Sequence, residues 1–319
     1  METSGIPSDW ILAPLDQVLY LTGPTASGKT QVALRVAERI GAEIISVDSM
    51  AVYRGMDIGT AKPTRDEQTA IPHHLIDVRD PDEDYSVAEY LTNAHRIASE
   101  IKGRGNRVMF VGGTPLYLKS LICGFFQGPQ ADWEFRKAVE LEVAQVGSER
   151  LHERVAQVDP LSAKKIMPND VRRMTRALEV ARITGKPLSH WQTQFEKFVV
   201  PPQSRAFVLG WDRAVLHHRV ENRVNQMLEI GLIDEVQELM KKFGTLGRTA
   251  SQAVGYKEPL QYLAGELDYK SMKELITIHT RQFVRRQEIW FRSMPTIERI
   301  EMTDSSSLAS AVDTICSAV

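Results

Sequence analysis

The 319-residue chain is short of cysteine, of basic excess and of long apolar runs, and each shortage removes a class of protein. Its two cysteines, Cys123 and Cys316, lie far apart and in no CxxC pair, which argues against a disulfide framework and a zinc site. No stretch approaches the roughly 20 consecutive apolar residues that span a bilayer, so no membrane partner is expected. Residues 1–16 hold no Lys or Arg and no apolar segment, unlike an export signal or an organelle transit peptide, and a cytoplasmic location is expected. None of the eight histidines has metal-ligand spacing; His73-His74 and His217-His218 are adjacent pairs whose side chains point apart in strand or helix. The 39 Lys and Arg are outnumbered by 41 Asp and Glu, a net charge of −2, so contact with nucleic acid has to come from local basic patches.

What is present is a globular composition, 43% hydrophobic and 25% charged, in a chain long enough for one large domain or two modest ones. The first hundred residues alternate short β-rich runs with helical patterns, the mark of a parallel sheet with crossover helices. Strands are expected at 17–22, 43–48, 107–111 and 207–210, with a short one at 74–78. A helix is expected from Lys29 to about Ile40, closed by Gly41. Ser86 with Glu89 forms a capping box before the helical spacing of Val87, Tyr90, Leu91, Ala94, Ile97, Ala98 and Ile101. After Gly128 the pattern is helical, charged and broken by prolines until Ser204. The expected architecture is therefore an α/β core (17–128 plus 204–319) with an inserted all-helical lobe (129–203). Further helices are expected at 215–230, 233–243 and about 271–292, and residues 1–16 and roughly the last fifteen read as loose or peripheral.

Gly23-Pro24-Thr25-Ala26-Ser27-Gly28-Lys29-Thr30 matches G-x-x-x-x-G-K-[ST] in full, between an expected strand and an expected helix. The glycines let consecutive N–H groups face one anion, the helix start adds its positive dipole end, Lys29 adds a cation, and the Thr30 hydroxyl can hold Mg²⁺. The loop predicts a P-loop fold that binds a diphosphate or triphosphate. Taken alone it fits an ATPase or a small-molecule kinase; no N-K-x-D guanine reader and no H-R-D or D-F-G kinase set accompanies it.

The residues beyond the loop narrow this. GPTASGKT, then ISVDS at 45–49, YRGMDIGTAKP at 53–63, HHLIDVRDP at 73–81, VGGTPLYLK at 111–119, PNDVRRMTRALEV at 168–180, VGYKE at 254–258 and TRQFVRRQEIWFR at 280–292 resemble, in that order, the tRNA dimethylallyltransferases, also called tRNA isopentenyltransferases. The similarity runs from about Val18 to Arg292. The resemblance implies that the loop holds the diphosphate of dimethylallyl diphosphate, with Mg²⁺. It also implies that the exocyclic amine of the adenine 3′ of the anticodon, in tRNAs reading codons that begin with U, receives the five-carbon chain. The absence of a C-terminal Cys/His module is similar to the bacterial members, and a monomer is expected.

From the resemblance Asp48 is the base that accepts the amine proton, although in an ordinary P-loop enzyme an Asp here anchors Mg²⁺. Thr114 lies at the carboxyl edge of the sheet, where its hydroxyl could donate to the leaving oxygen or simply close a tight Gly112-Gly113-Thr114 turn. Asp77 reads as a structural strand-end carboxylate. An adenine stacked in the anticodon loop must be extruded, so contacts to the RNA backbone and to the base are both needed. The expected tRNA contacts are Asp48, Ser49, Met50, Ala51 and Thr114 at the core, and Arg136, Arg172, Arg173, Met174, Thr175 and Arg176 in the lobe. Gln252, Gly255, Tyr256, Lys257, Arg285, Arg286 and Arg292 complete the set. Charge runs are usually solvated faces; here the 172–176 face reads as having no close Glu partner, and Arg281, Arg285 and Arg292 share one helix stripe. Three other readings remain: an adenylate isopentenyltransferase acting on free nucleotide, a small-molecule kinase with an Arg-bearing lid, and an RNA-binding protein with a relic loop.

Overall fold

The computed structural model describes residues 11–192, 198–304 and 307–319. These divide into two compact units: residues 15–122 with those from 198 onward, and residues 11–14 with those from 123 to 192. The described residues begin with strand β1 (Ile11–Leu12) and continue through β2 (Leu19–Thr22), α1 (Lys29–Ile40), β3 (Ala42–Ser46), α2 (Arg65–Ala70), β4 (His73–His74), α3 (Val87–Gly103), β5 (Arg107–Gly112) and α4 (Pro115–Cys123). The smaller unit follows with β6 (Phe125–Phe126), α5 (Trp133–Val146), α6 (Ser148–Val158), α7 (Pro160–Ala163), α8 (Val171–Thr184) and α9 (Leu188–Trp191). The chain returns through β7 (Arg205–Trp211), α10 (Arg213–Glu229), α11 (Leu232–Phe243), α12 (Lys257–Leu263), α13 (Tyr269–Arg292), β8 (Glu298–Met302) and α14 (Ser307–Ser317).

The larger unit is built on a six-stranded sheet in the order β4-β3-β5-β2-β7-β8, every pair parallel. Leu19–Thr22 and Ala42–Ser46 are buried at every position, as strands covered on both faces must be. Tyr20 stacks on Phe110 of the neighbouring strand at 5.4 Å between ring centroids. On α1, Val32, Ala33, Val36 and Ala37 form the buried stripe; each valine contributes about 1.5–3 kcal/mol by leaving water. The capping box of α3 is present, with Ser86 accepting from the N–H of Glu89 and Glu89 accepting from that of Ser86.

Three expectations about the ends and joins need correction. Residues 11–16 are not loose: Ile11 and Leu12 pair with Phe126 and Phe125, and the Asp16 carboxylate accepts from the N–H of Gln203 and the Ser204 hydroxyl. Residues 1–10 lie outside the described residues. The C-terminal segment is core rather than periphery, since Ala311 and Ile315 are fully buried and Val312 nearly so. Their i, i+1, i+4 spacing makes an apolar stripe that packs on α1. The lobe begins at Cys123 and ends before Phe198 rather than spanning 129–203; residues 193–197 of that span lie outside the described residues. The lobe has its own core, in which Phe126, Phe135, Val139, Leu151, Val155, Met174 and Leu178 are buried together.

Candidate active site

The loop between β2 and α1 is held from outside so that its N–H groups are left facing inward. The Ala26 carbonyl accepts from Arg219 Nε at 2.7 Å and the Ser27 carbonyl from Trp211 Nε1 at 2.9 Å, while the Arg219 guanidinium lies 4.3 Å from the Trp211 ring centroid. Lys29 Nζ donates to the carbonyls of Gly23 and Pro24 at 2.9 and 2.7 Å. Ala26 and Gly28 take left-handed backbone (φ 63° and 87°), which curls the chain ahead of the helix. A Gly at the cap position supplies no side-chain acceptor, and the first turn of α1 carries no acidic residue. The N–H groups of Ala26, Gly28, Lys29 and Thr30 therefore have no protein acceptor among the described residues. Together with the helix dipole this is an anion cradle.

A glutamine that sequence reasoning missed locks the cradle to the next strand end. Gln287 of α13 is 2% exposed. Its Oε1 accepts from the N–H of Thr25 at 2.9 Å and its Nε2 donates to the Gly113 carbonyl at 2.7 Å. A side chain at Gly113 would push this amide aside, since a Cβ there would lie 2.6 Å from Gln287 Nε2.

Thr25, Lys29, Thr30, Asp48, Ser49, Met50, Ala51, Thr114, Gln252, Gly255, Tyr256 and Arg286, all expected from the sequence, line one cavity of 380 Å³. Asp48 follows the carboxyl end of β3 and accepts the N–H groups of Met50 (2.8 Å) and Ala51 (3.3 Å), which fixes its carboxylate. The Thr114 hydroxyl accepts from the N–H of Ser49 at 3.0 Å and donates to Ser49 Oγ at 3.4 Å. Arg223 of α10, also missed, lines the same cavity. Burial lowers the Arg223 guanidinium from its ordinary value, with Asp48 opposing. Burial and the charge of Arg223 bring the Lys29 ammonium down to about 7, partly offset by Asp48. Two cations and one carboxylate thus face one another without neutralising, an arrangement that an arriving dianion relieves.

The segment 57–63, of which residues 59–63 form part of the cavity wall, is pinned by two sets of polar contacts. Glu235 Oε2 accepts the N–H groups of Asp57 (3.0 Å) and Ile58 (2.7 Å), and Oε1 accepts the Tyr256 hydroxyl at 2.7 Å. Lys62 donates to Asp57 at 2.7 Å and Asp77 at 2.6 Å, so Asp77 has the structural role expected of it. Tyr256, expected as a tRNA contact, is fully buried, and its hydroxyl is committed to Glu235.

The lobe residues divide. Glu179 is fully buried and accepts from Arg136 (2.8 and 2.9 Å), Arg176 (2.6 Å) and the N–H of Asp132 (2.8 Å). Burial pushes its carboxyl up, but the hydrogen bonds from Arg136 and Arg176 outweigh that and hold it below the usual range. The expectation of no Glu partner therefore fails at Arg176: an acid three residues on, facing inward, ties Arg136 and Arg176 into the lobe's own structure. Met174 is core and Thr175 spends its hydroxyl on the Val171 carbonyl, so neither presents a surface to RNA. Arg173 pairs with Asp170 at 3.2 Å. Arg172 is exposed and has no ion-pair partner among the described residues. On α13, Arg281 pairs with Glu221, whereas Arg285, Arg286 and Arg292 are exposed. Lys257 is half-buried at the start of α12.

Among the described residues no helix is long and apolar enough to cross a membrane. Residues 51–294 match the family model described as IPP transferase. A tRNA dimethylallyltransferase of Rhodopirellula baltica is 50% identical over 304 residues, 92% of this chain and 91% of that protein. One of Burkholderia thailandensis is 43% identical over 314 residues, 95% of each. The solved full-length tRNA isopentenylpyrophosphate transferase of Bacillus halodurans aligns at a TM-score of 0.67 and 36% identity, covering 95% of this chain and 99% of that one. A eukaryotic dimethylallyltransferase acting on tRNA aligns at 0.78 and 27% identity, over 94% of this chain and 77% of that one.

Proposed function

The chain belongs to the IPP transferase family, and on that footing we propose that it moves a dimethylallyl group from dimethylallyl diphosphate to the exocyclic amine of the adenine 3′ of the anticodon in tRNAs reading UNN codons. One observation carries the reading: Lys29 and Thr30, at the helix end of the anion cradle, line the same cavity as the fixed carboxylate of Asp48. The donor's diphosphate lies against the inward N–H groups with Lys29 and Arg223. As the allylic C–O bond stretches, these fixed donors meet the charge gathering on the leaving oxygen. The amine attacks the allylic carbon, and Asp48 takes its proton as the C–N bond forms. Thr114 sits beside the cradle, where its hydroxyl can turn from Ser49 to the leaving group.

Mg²⁺ fits this site as a cation brought by the donor. Among the described residues no group of three His, Cys, Asp or Glu is placed to hold a metal, so the Thr30 hydroxyl and the diphosphate oxygens would supply the hard oxygen ligands Mg²⁺ prefers. When bound, it adds charge stabilisation on the diphosphate. The protein is proposed to act as a cytoplasmic monomer on the anticodon stem-loop.

Mass spectrometry of nucleosides from tRNA incubated with the protein and dimethylallyl diphosphate tests the proposal. A five-carbon mass gain on adenosine next to the anticodon is expected. Transfer only to free AMP, or phosphoryl transfer from ATP with no prenyl product, would overturn it.

A further inference from the structure

We propose that Phe283 is the stacking platform for the acceptor adenine, holding the base flat while its amine faces Asp48; this rests on the adenine-acceptor reading above. Ile276, Thr280, Phe283 and Gln287 recur at i, i+4, i+7 and i+11 on α13, one stripe, and all four line the cavity that holds Asp48. Three of them are committed. Ile276 is 1% exposed in the core, Thr280 donates its hydroxyl to the Ile276 carbonyl at 2.7 Å, and Gln287 is spent on Thr25 and Gly113. Phe283, half-buried, is the one aromatic ring on this stripe and lines the cavity with no polar group to commit.

Of the other rings bordering the cavity, Tyr256 is already covered and His73 is held at its edge. Tyr256 is fully buried, and a Cβ on Gly59 would come within 2.4 Å of its ring, so that face is already covered. His73 holds the Ile71 carbonyl through Nδ1 at 2.7 Å. The cavity wall is largely aliphatic, with Ile44, Ile76, Val111, Val224 and Met227 among its lining, and a half-buried phenyl ring adds to it the one flat surface suited to covering a flat ligand. An extruded base must replace the stacking it loses in the anticodon loop. Arg286 strengthens the assignment: its guanidinium lies 5.8 Å from the Phe283 centroid and lines the same cavity. A planar cation beside an aromatic ring gives an incoming purine a second surface of the kind bases stack on.

The test uses an anticodon stem-loop carrying 2-aminopurine in place of the acceptor adenine, which lacks the reacting amine and reports stacking by its emission. Bound to the wild-type protein, the probe should stay quenched. Bound to Phe283→Leu, which keeps apolar bulk and loses the π face, it should brighten severalfold. With the unsubstituted stem-loop, Phe283→Leu should lose about ten- to a hundredfold in kcat/KM, the range for one base–aromatic stack. KM for dimethylallyl diphosphate should be unchanged, and Phe283→Tyr should restore both quenching and rate. Equal emission from wild type and Phe283→Leu, with normal prenyl transfer by the wild type, overturns the stacking role alone. A rise in donor KM together with a lowered melting temperature would make Phe283 a packing residue and overturn it as well. No transfer to the unsubstituted stem-loop by the wild type fells the acceptor reading, and this inference with it.

Discussion

Lys29 offers a test of the anion cradle that needs no RNA. Without ligand, burial and Arg223 hold its ammonium near a pKa of about 7, far below the usual lysine range. A diphosphate seated between Lys29 and the loop N–H groups supplies the missing counter-charge, so the bound ammonium stays protonated well above pH 8. The sign follows: the charged form predominates below about 7 and is lost as pH rises through it, so binding at higher pH must first restore the proton. At pH 8 roughly nine-tenths of Lys29 is neutral in the free protein. Binding should then take up about 0.9 proton, about 0.5 at pH 7 and about 0.1 at pH 6. Above pH 7 affinity for the donor should fall toward tenfold per pH unit, about 1.4 kcal/mol each. Isothermal titration calorimetry with dimethylallyl diphosphate at fixed Mg²⁺, in two buffers of different ionisation enthalpy, gives the proton count directly. Lys29→Arg, charged throughout, reports the ligand's own titration and is subtracted. Uptake below about 0.2 proton at pH 8 after that subtraction would refute the picture of a lysine held close to neutrality by its surroundings.

Asp48→Asn keeps the side chain's size but cannot accept a proton, so single-turnover transfer should slow by roughly 10²–10⁴-fold with little change in donor affinity; a defect rescued by excess Mg²⁺ would make Asp48 a metal anchor instead. Gln287→Leu strands the Thr25 N–H and the Gly113 carbonyl, each costing about 1–3 kcal/mol when buried, and should weaken donor binding while leaving stem-loop affinity near wild type in a filter-binding assay. Glu179→Gln removes the anion shared by Arg136 and Arg176 and should cost on the order of 3 kcal/mol in urea unfolding, the low end for a broken buried pair since both arginines keep some solvent. Arg172→Ala should leave stability unchanged and flatten the salt dependence of RNA binding by about one unit; an unchanged slope makes it an ordinary solvated side chain.

The local signals in the sequence carried far. The helix expected from Lys29 to about Ile40 is α1 to the residue, and the capping box at Ser86 opens α3 as expected, because both rest on chemistry within one turn. Most strand bounds moved by a residue or two, and the short strand expected at 74–78 shrank to His73–His74, as pairing partners rather than local preference decide where a ladder ends. Strand β8 was not foreseen: Glu298, Arg299 and Glu301 give it a polar pattern, and only Met302 is buried, which is how an edge strand reads. Helix α14 was missed for the opposite reason. Its serines and alanines look like a tail, and only the α1 surface it covers shows that Ala311, Val312 and Ile315 make a core face.

The site was legible where the residue type announces its chemistry and opaque where a polar side chain acts by being buried. Lys29 opens α1 while Asp48 and Thr114 follow strand ends, places where chemistry-bearing residues are expected, and the three converge on one cavity. Gln287, Glu179, Glu235 and Arg223 are single polar letters inside helices that contain many. One signal does separate them. Gln287 falls at the end of the stripe Ile276, Thr280, Phe283, and Arg223 lies beside Val220, Val224 and Met227, the buried line of α10. A polar residue on an apolar stripe must find a partner or cost free energy, because a buried unpaired group is worth more than its hydrogen bond returns. Gln287 finds the cradle and the Gly113 turn; Glu179 finds two arginines; Glu235 finds two backbone N–H groups and Tyr256. Arg223 finds no hydrogen-bonding partner among the described residues. Of the four it is the one whose position is explained by a ligand, which is why it belongs with Lys29 in the donor site and not with the structural ion pairs.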